Sequence, residues 1–141
     1  EVDRVKGPAQ ESDMMEHLDF DSNERPLPGT NHIPLVSLGC YCGPKLSFKA
    51  IGRGAETLPF DWIRTRLEGV LHFLRTDFQN FFDYKTRAYA PGFKTEVSRS
   101  QFHSFWHDDP REPAMQEKYR RRIARLKTIR ADSSPVLYVR S

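Results

Sequence analysis

The stretch Ile33–Pro44, IPLVSLGCYCGP, constrains this chain more than any other. An apolar run (Ile33, Leu35, Val36, Leu38) meets Gly39, then two cysteines, then a Gly43-Pro44 pair. A near-continuous apolar run of this length suits a buried strand. A glycine after it suits a tight turn, and a proline near a helix start costs no hydrogen bond. The expected local order is strand, turn and helix N-terminus, with a thiol at the junction.

The rest of the chain is read outward from there. The helix starts near Gly43 with Pro44 at the first helical position; Leu46, Ala50 and Ile51 share a face with Phe48 off it, and Gly52 and Gly54 are natural stops. Thr65-x-x-Glu68 reads as a capping box. After it Leu67, Val70, Leu71, Leu74, Phe78, Phe81 and Phe82 recur at steps of three and four, one apolar core stripe. Thr76-x-x-Gln79 offers a second cap where that helix bends or restarts. Tyr84 to Pro110 is the least regular part, with partial alternation and a short strand within Val97–Trp106. A last helix opens at Glu112 or Pro113 and buries Met115, Tyr119, Ile123, Leu126 and Ile129. Val136–Val139 is a second strand. Strand, three helices, strand predicts an α/β fold. Its sheet is short and parallel (strands near 33–38 and 135–140) and flanked by helices.

The chain of 141 residues is long enough for one core. Residues 1–31 are Pro-, Gly- and charge-rich and read as an extended acidic arm or linker; residues 32–141 form the domain. The chain opens on Glu1 rather than Met and closes on a strand, so a truncated domain lacking C-terminal parts is expected. Residues 1–30 hold eight acids and three bases, leaving −5 there and +8 on the rest of a chain whose formal charge is +3. Most of that basic excess falls on the solvated face of the last helix, which disfavours nucleic acid as a partner. No stretch reaches the ~20 apolar residues of a membrane span. Two cysteines one residue apart fit a reducing, intracellular compartment better than a disulfide scaffold.

Cys42 is the residue best placed for chemistry. A thiol at a helix N-terminus faces unpaired N–H groups that favour a thiolate and can hold a developing oxyanion at the Cys42–Gly43 backbone. The competing reading is a small buried hydrophobe. A thiol nucleophile needs a base. Of the histidines, His103 and His107 lie in the irregular aromatic segment, where loops carry function. Asp108 beside His107, or Asp61 in the PFDW stretch, can orient it; Asp61 can equally cap its own turn. Cys40, Cys42, His103 and His107 also make a four-ligand zinc set, although C-x-C is tighter than usual. A phosphate loop is a weaker reading still, since SLGCYCG has two glycines and lacks the Lys-Ser/Thr ending.

Six motifs occur in order: SLGCYC at Ser37–Cys42, LPFDWI at Leu58–Ile63, DFQNFFD at Asp77–Asp83, WHDD at Trp106–Asp109, KYRRRIARL at Lys118–Leu126 and VLYVRS at Val136–Ser141. Together they resemble a domain family described as papain-like cysteine peptidases, over roughly Ile33 to Ser141. The resemblance implies Cys42 as nucleophile, His107 with Asp108 as the His-Asp pair, a peptide or amide substrate and no cofactor. It also makes Cys40, where the family has a small polar residue, incidental. The alternative is a non-catalytic α/β binding module for a glycan, nucleotide or protein.

Overall fold

The structure is a computed structural model that describes residues 32–130, 132 and 134–141. The expected acidic arm of residues 1–31 lies outside the described residues. Among them the order is β1 (Leu35–Ser37), α1 (Gly43–Ala50), β2 (Ile63–Thr65), α2 (Leu67–Arg75), β3 (Thr86–Ala90), a 3-10 turn (Pro91–Phe93), β4 (Thr95–Arg99), β5 (His103–Phe105), α3 (Pro113–Thr128) and β6 (Leu137–Val139).

The fold is mixed α/β, and the parallel pair is where the sequence puts it. β1 and β6 run parallel, with Leu35 opposite Leu137 and Ser37 opposite Val139. A second sheet, four antiparallel strands in the order β2-β5-β4-β3, corrects the expectation of a single parallel sheet. The segment read as irregular holds most of it. β3 and β4 form a hairpin around Pro91-Gly92-Phe93, closed by Lys94 in the left-handed region (φ 50°). The sequence TRAYA of β3 alternates weakly because three of its five residues are exposed. Along β2 and β5 the alternation is clear: Ile63, Thr65, His103 and Phe105 are buried, while Arg64 and Ser104 between them are half-buried.

The helices depart from expectation in instructive ways. α1 starts at Gly43 as read, with Pro44 in its first turn, and stops where Gly52 (φ 69°) takes the left-handed position. The bonds Arg53 N to Phe48 O (2.8 Å) and Gly52 N to Lys49 O (3.0 Å) close that end in the Schellman pattern. Its buried face is Pro44, Lys45 and Phe48; Ala50 and Ile51 are exposed. The capping box at Thr65 does not form: Thr65 ends β2, and Arg66 is the N-cap of α2 without a side-chain bond. α2 buries Val70 and Phe73, whereas Leu67, Leu71 and Leu74 of the expected stripe are exposed. Thr76 closes that helix rather than starting another, its hydroxyl donating to His72 O at 2.8 Å. α3 follows most of the reading: Met115, Tyr119 and Ile123 are buried, while Leu126 is half-buried and Ile129, also half-buried, is the C-cap beyond the helix.

α2, α3, the 76–83 turn and the inner face of the antiparallel sheet share one aromatic-rich core, built on Phe60, Ile63, Phe73, Phe81, Phe105 and Tyr119. Gly69 lets α2 approach the sheet, since a Cβ there would sit 2.6 Å from the Phe102 carbonyl oxygen. Phe81 is central. It stacks on His103 at 5.1 Å and meets Phe73, Phe105 and Tyr119 at 5.0, 5.6 and 5.7 Å.

His103 is therefore a core ring. Its Nε2 lies 2.7 Å from Phe81 O, which can only accept, so Nε2 carries the proton and Nδ1 accepts from the Ser100 hydroxyl at 2.5 Å. Burial pushes its pKa down to about 4. In the unfolded chain an imidazole takes its proton near ~6.5. The stability of the neutral ring is thus complete above about pH 6.5. It declines on acidification as the unfolded chain protonates first, and it is gone below about pH 4. The loss from this group is on the order of 3 kcal/mol. Urea unfolding followed at pH 7, 5.5 and 4 is expected to show it, and His103→Leu to flatten that part of the profile.

Candidate active site

The thiol half of the site is built where β1 gives way to α1. Gly39 (φ 73°) and Cys40 (φ 82°) take successive left-handed conformations, which turn the chain back toward the helix. Cys42 is the N-cap of α1. Its carbonyl accepts from Leu46 N at 3.1 Å, and its side chain makes no capping bond. Both cysteines are free and half-buried. The first turn of a helix leaves its N–H groups unpaired. Pro44 has none, so the Gly43 and Lys45 amides are the ones left at this end.

Asp61 lies beneath the same helix. Its carboxylate accepts from Leu58 N at 2.8 Å, closing the 58–61 turn, and receives the Lys45 ammonium at 3.2 Å. Both side chains are about 2% exposed, which makes this a buried ion pair. Burial raises the Asp61 pKa, and the Leu58 amide and Lys45 oppose that rise. The Lys45 ammonium also donates to Gly54 O and, at 2.5 Å, to Glu56 O. Asp61 therefore anchors α1 and caps the turn that precedes it.

The histidine half is on the loop after β5. His107 is exposed, and its ring meets Trp62 edge-on at 6.3 Å between centroids. The Lys49 ammonium lies 5.6 Å from the same indole, so Trp62 faces the last turn of α1, the end opposite Cys42. Among the described residues no hydrogen bond joins His107 to Cys42, Asp61 or Asp108. Asp108 points at α3, paired with the Lys118 ammonium and accepting from the Tyr119 hydroxyl at 3.1 Å. Asp109 is held by Arg111 and Arg87, at 2.9 and 2.8 Å; the bond from Arg111 keeps its carboxyl well below the usual range. His107, Asp108 and Asp109 border a cavity of about 130 Å³ with Arg87, Thr95 and Glu96. A larger one, about 300 Å³, lies between His72, Phe102 and the 79–85 turn and carries none of the predicted site residues.

The four-ligand zinc set does not assemble. Both ring nitrogens of His103 are bonded in the core, and no group of three or more His, Cys, Asp or Glu among the described residues is placed to hold a metal ion. No described helix is long and apolar enough to cross a membrane.

A family model described as putative papain-like cysteine peptidase (DUF1796) matches residues 34–141. The chain belongs to that family. No curated protein and no solved structure matches it. The family match spans both halves of the site, from β1 through Cys42 to His107 and on to β6.

Sequence reasoning missed two residues that shape the thiol turn. Arg140 donates to Leu38 O and to Thr65 O, each at 2.8 Å. Thr65, a helix cap by its sequence spacing, instead has its hydroxyl 3.4 Å from Cys40 N. The position of Arg140 in VLYVRS was the signal available for it. Lys45, one of the largest fully buried side chains, was legible only as a charge on an otherwise apolar helix face.

Lys45→Met, which leaves the Asp61 carboxylate buried and unpaired, is expected to cost about 3–5 kcal/mol at pH 7. The cost shrinks on acidification as Asp61 takes a proton. A Lys45→Met/Asp61→Leu double variant recovers most of it, which chemical unfolding of the three proteins measures.

Proposed function

We propose that the domain is a thiol hydrolase acting on a peptide or amide carbonyl, with Cys42 as its nucleophile. The observation that carries this reading is the thiol at the N-cap of α1, not used for capping, beside the Gly43 amide, which has no hydrogen-bond partner among the described residues. In the reaction the Cys42 sulfur attacks the carbonyl carbon, and the resulting oxyanion takes the backbone N–H groups of Cys42 and Gly43. The general base removes the thiol proton and returns it to the leaving amine as the C–N bond breaks. Water then attacks the thioester carbonyl, the thiol leaves with its proton restored, and the acid product is released.

His107 is the base in this proposal, on the strength of the resemblance of its WHDD stretch to the family's His-Asp pair and its exposure on a loop. Asp108 and Asp61 are the candidates for orienting it. Each is already bound to a lysine, Asp108 to Lys118 and Asp61 to Lys45. That pairing favours a second reading, a non-catalytic α/β binding module that uses the thiol turn as a rigid edge.

Alkylation separates the two. Under the hydrolase reading iodoacetamide modifies Cys42 about tenfold faster in the native chain than in the urea-unfolded chain at the same pH. Peptide mapping locates the adduct, Cys42→Ala abolishes it, and His107→Ala slows it. Equal native and unfolded rates, untouched by His107→Ala, decide for the binding module.

A further inference from the structure

Cys40 holds a φ of 82° without being glycine, a conformation that costs on the order of 1–3 kcal/mol and persists only where its surroundings impose it. The surroundings here are two strands from elsewhere in the chain. Leu38 N donates to Val139 O of β6 at 2.8 Å. The Arg140 guanidinium spans Leu38 O and Thr65 O, 2.8 Å to each, and so ties the end of β1 to the end of β2. The Thr65 hydroxyl lies within 3.4 Å of Cys40 N and 3.5 Å of Leu38 O, long contacts that complete the ring of bonds. Thr65 also fills the space above Gly39, where a Cβ would come within 2.0 Å of its Oγ1. Two residues after Cys40 the chain reaches Cys42 and enters α1.

We propose that Arg140 and Thr65 are positioning residues for the Cys42 thiol, acting through the backbone of Leu38–Cys40; the inference rests on the thiol-hydrolase reading above. A rotation at Cys40 re-aims Cys42 relative to the Gly43 amide, and the clamp prevents that rotation. The guanidinium suits the task because its planar fork reaches two carbonyls at fixed separation. A lysine at the same place is a single point of attachment. Threonine suits the other side because its hydroxyl accepts and donates at once.

The test uses the full chain carrying Cys40→Ser, so that Cys42 is the thiol observed. Its iodoacetamide rate is followed from pH 5 to 9, with circular dichroism and urea unfolding recorded for every variant. Arg140→Ala is expected to lower the Cys42 rate about tenfold and change the shape of its pH profile while the chain stays folded. Arg140→Lys, which keeps the charge and loses the fork, falls between the two. Thr65→Val lowers the rate and Thr65→Ser restores it. Should Arg140→Ala fail to fold, Arg140→Lys and the two Thr65 variants carry the test. Folded Arg140 and Thr65 variants with the parent rate and profile overturn the inference and leave the hydrolase reading standing. A parent whose Cys42 reacts no faster than in the unfolded chain overturns the hydrolase reading, and the positioning role with it.

Discussion

The buried pair of Lys45 and Asp61 is the interaction on which the rest depends. Placing two charges where almost no water reaches is expensive, and an apolar pair of similar size would give as much stability or more. What the pair adds is direction. The Gly54 and Glu56 carbonyls and the Asp61 carboxylate converge on one ammonium nitrogen, so α1 can rest on the 54–61 loop in only one rotation. That rotation decides where Cys42, three residues upstream, points. The same loop is pinned from the other side by α3, whose Arg125 donates to Thr57 O at 2.8 Å. It then runs straight into Trp62 and β2.

The second constraint is the aromatic core, and His103 belongs to it as much as the phenylalanines do. Its ring lies between Phe73, Phe81 and Phe105, each within 5.1 Å centroid to centroid. A phenylalanine in its place would stack as well but would leave Phe81 O without its ring donor and take one acceptor from the Ser100 hydroxyl, which keeps its bonds to the Phe102 and His103 backbone. The neutral imidazole satisfies both and so ties the 76–83 turn to β5. This commitment removes His103 from any site chemistry, although its sequence neighbourhood is the one that holds His107. The two histidines, four residues apart, are separated by the strand between them: one faces the core and the other leaves on the loop.

Elements signalled by nearby residues were legible in the sequence. β1, the start of α1 at Gly43-Pro44, the buried stripe of α3 and the parallel partner β6 all follow from local period and end signals. β3 was not, because an edge strand with three of its five residues exposed has no reason to alternate. The α2 stripe misled because the helix is apolar on two faces, and periodicity cannot say that Val70 and Phe73 turn inward while Leu67, Leu71 and Leu74 do not. For the site, the N-cap position of Cys42 depends on its immediate neighbours and could be read. The partners of Asp61 and Asp108 could not, since an acid beside a histidine in sequence is free to bind a lysine on another helix. Arg140 lay furthest from reach: its carbonyl partner Leu38 is 102 residues away.

These differences set the two halves of the site apart physically. The thiol half is held by backbone hydrogen bonds, the part-buried Arg140 fork and the buried Lys45–Asp61 pair. The histidine half rests on one edge contact with Trp62, and the acids beside it are committed to Lys118, Arg87 and Arg111. Preorganised dipoles lower a barrier because they need not move as charge develops. By that criterion, and under the proposed hydrolase reading, the helix end at Cys42 supplies backbone N–H groups that need not move to meet a substrate carbonyl. In the same reading the proton transfer is the part without a fixed geometry. His107 meets Trp62, whose indole takes the Lys49 ammonium of the last turn of α1, and no hydrogen bond joins it to Cys42 among the described residues. The ion pairs of Asp108 to Lys118 and of Asp109 to Arg87 and Arg111 hold the stretch beside His107 in place, so under the proposed hydrolase reading any approach of His107 to the thiol works against them.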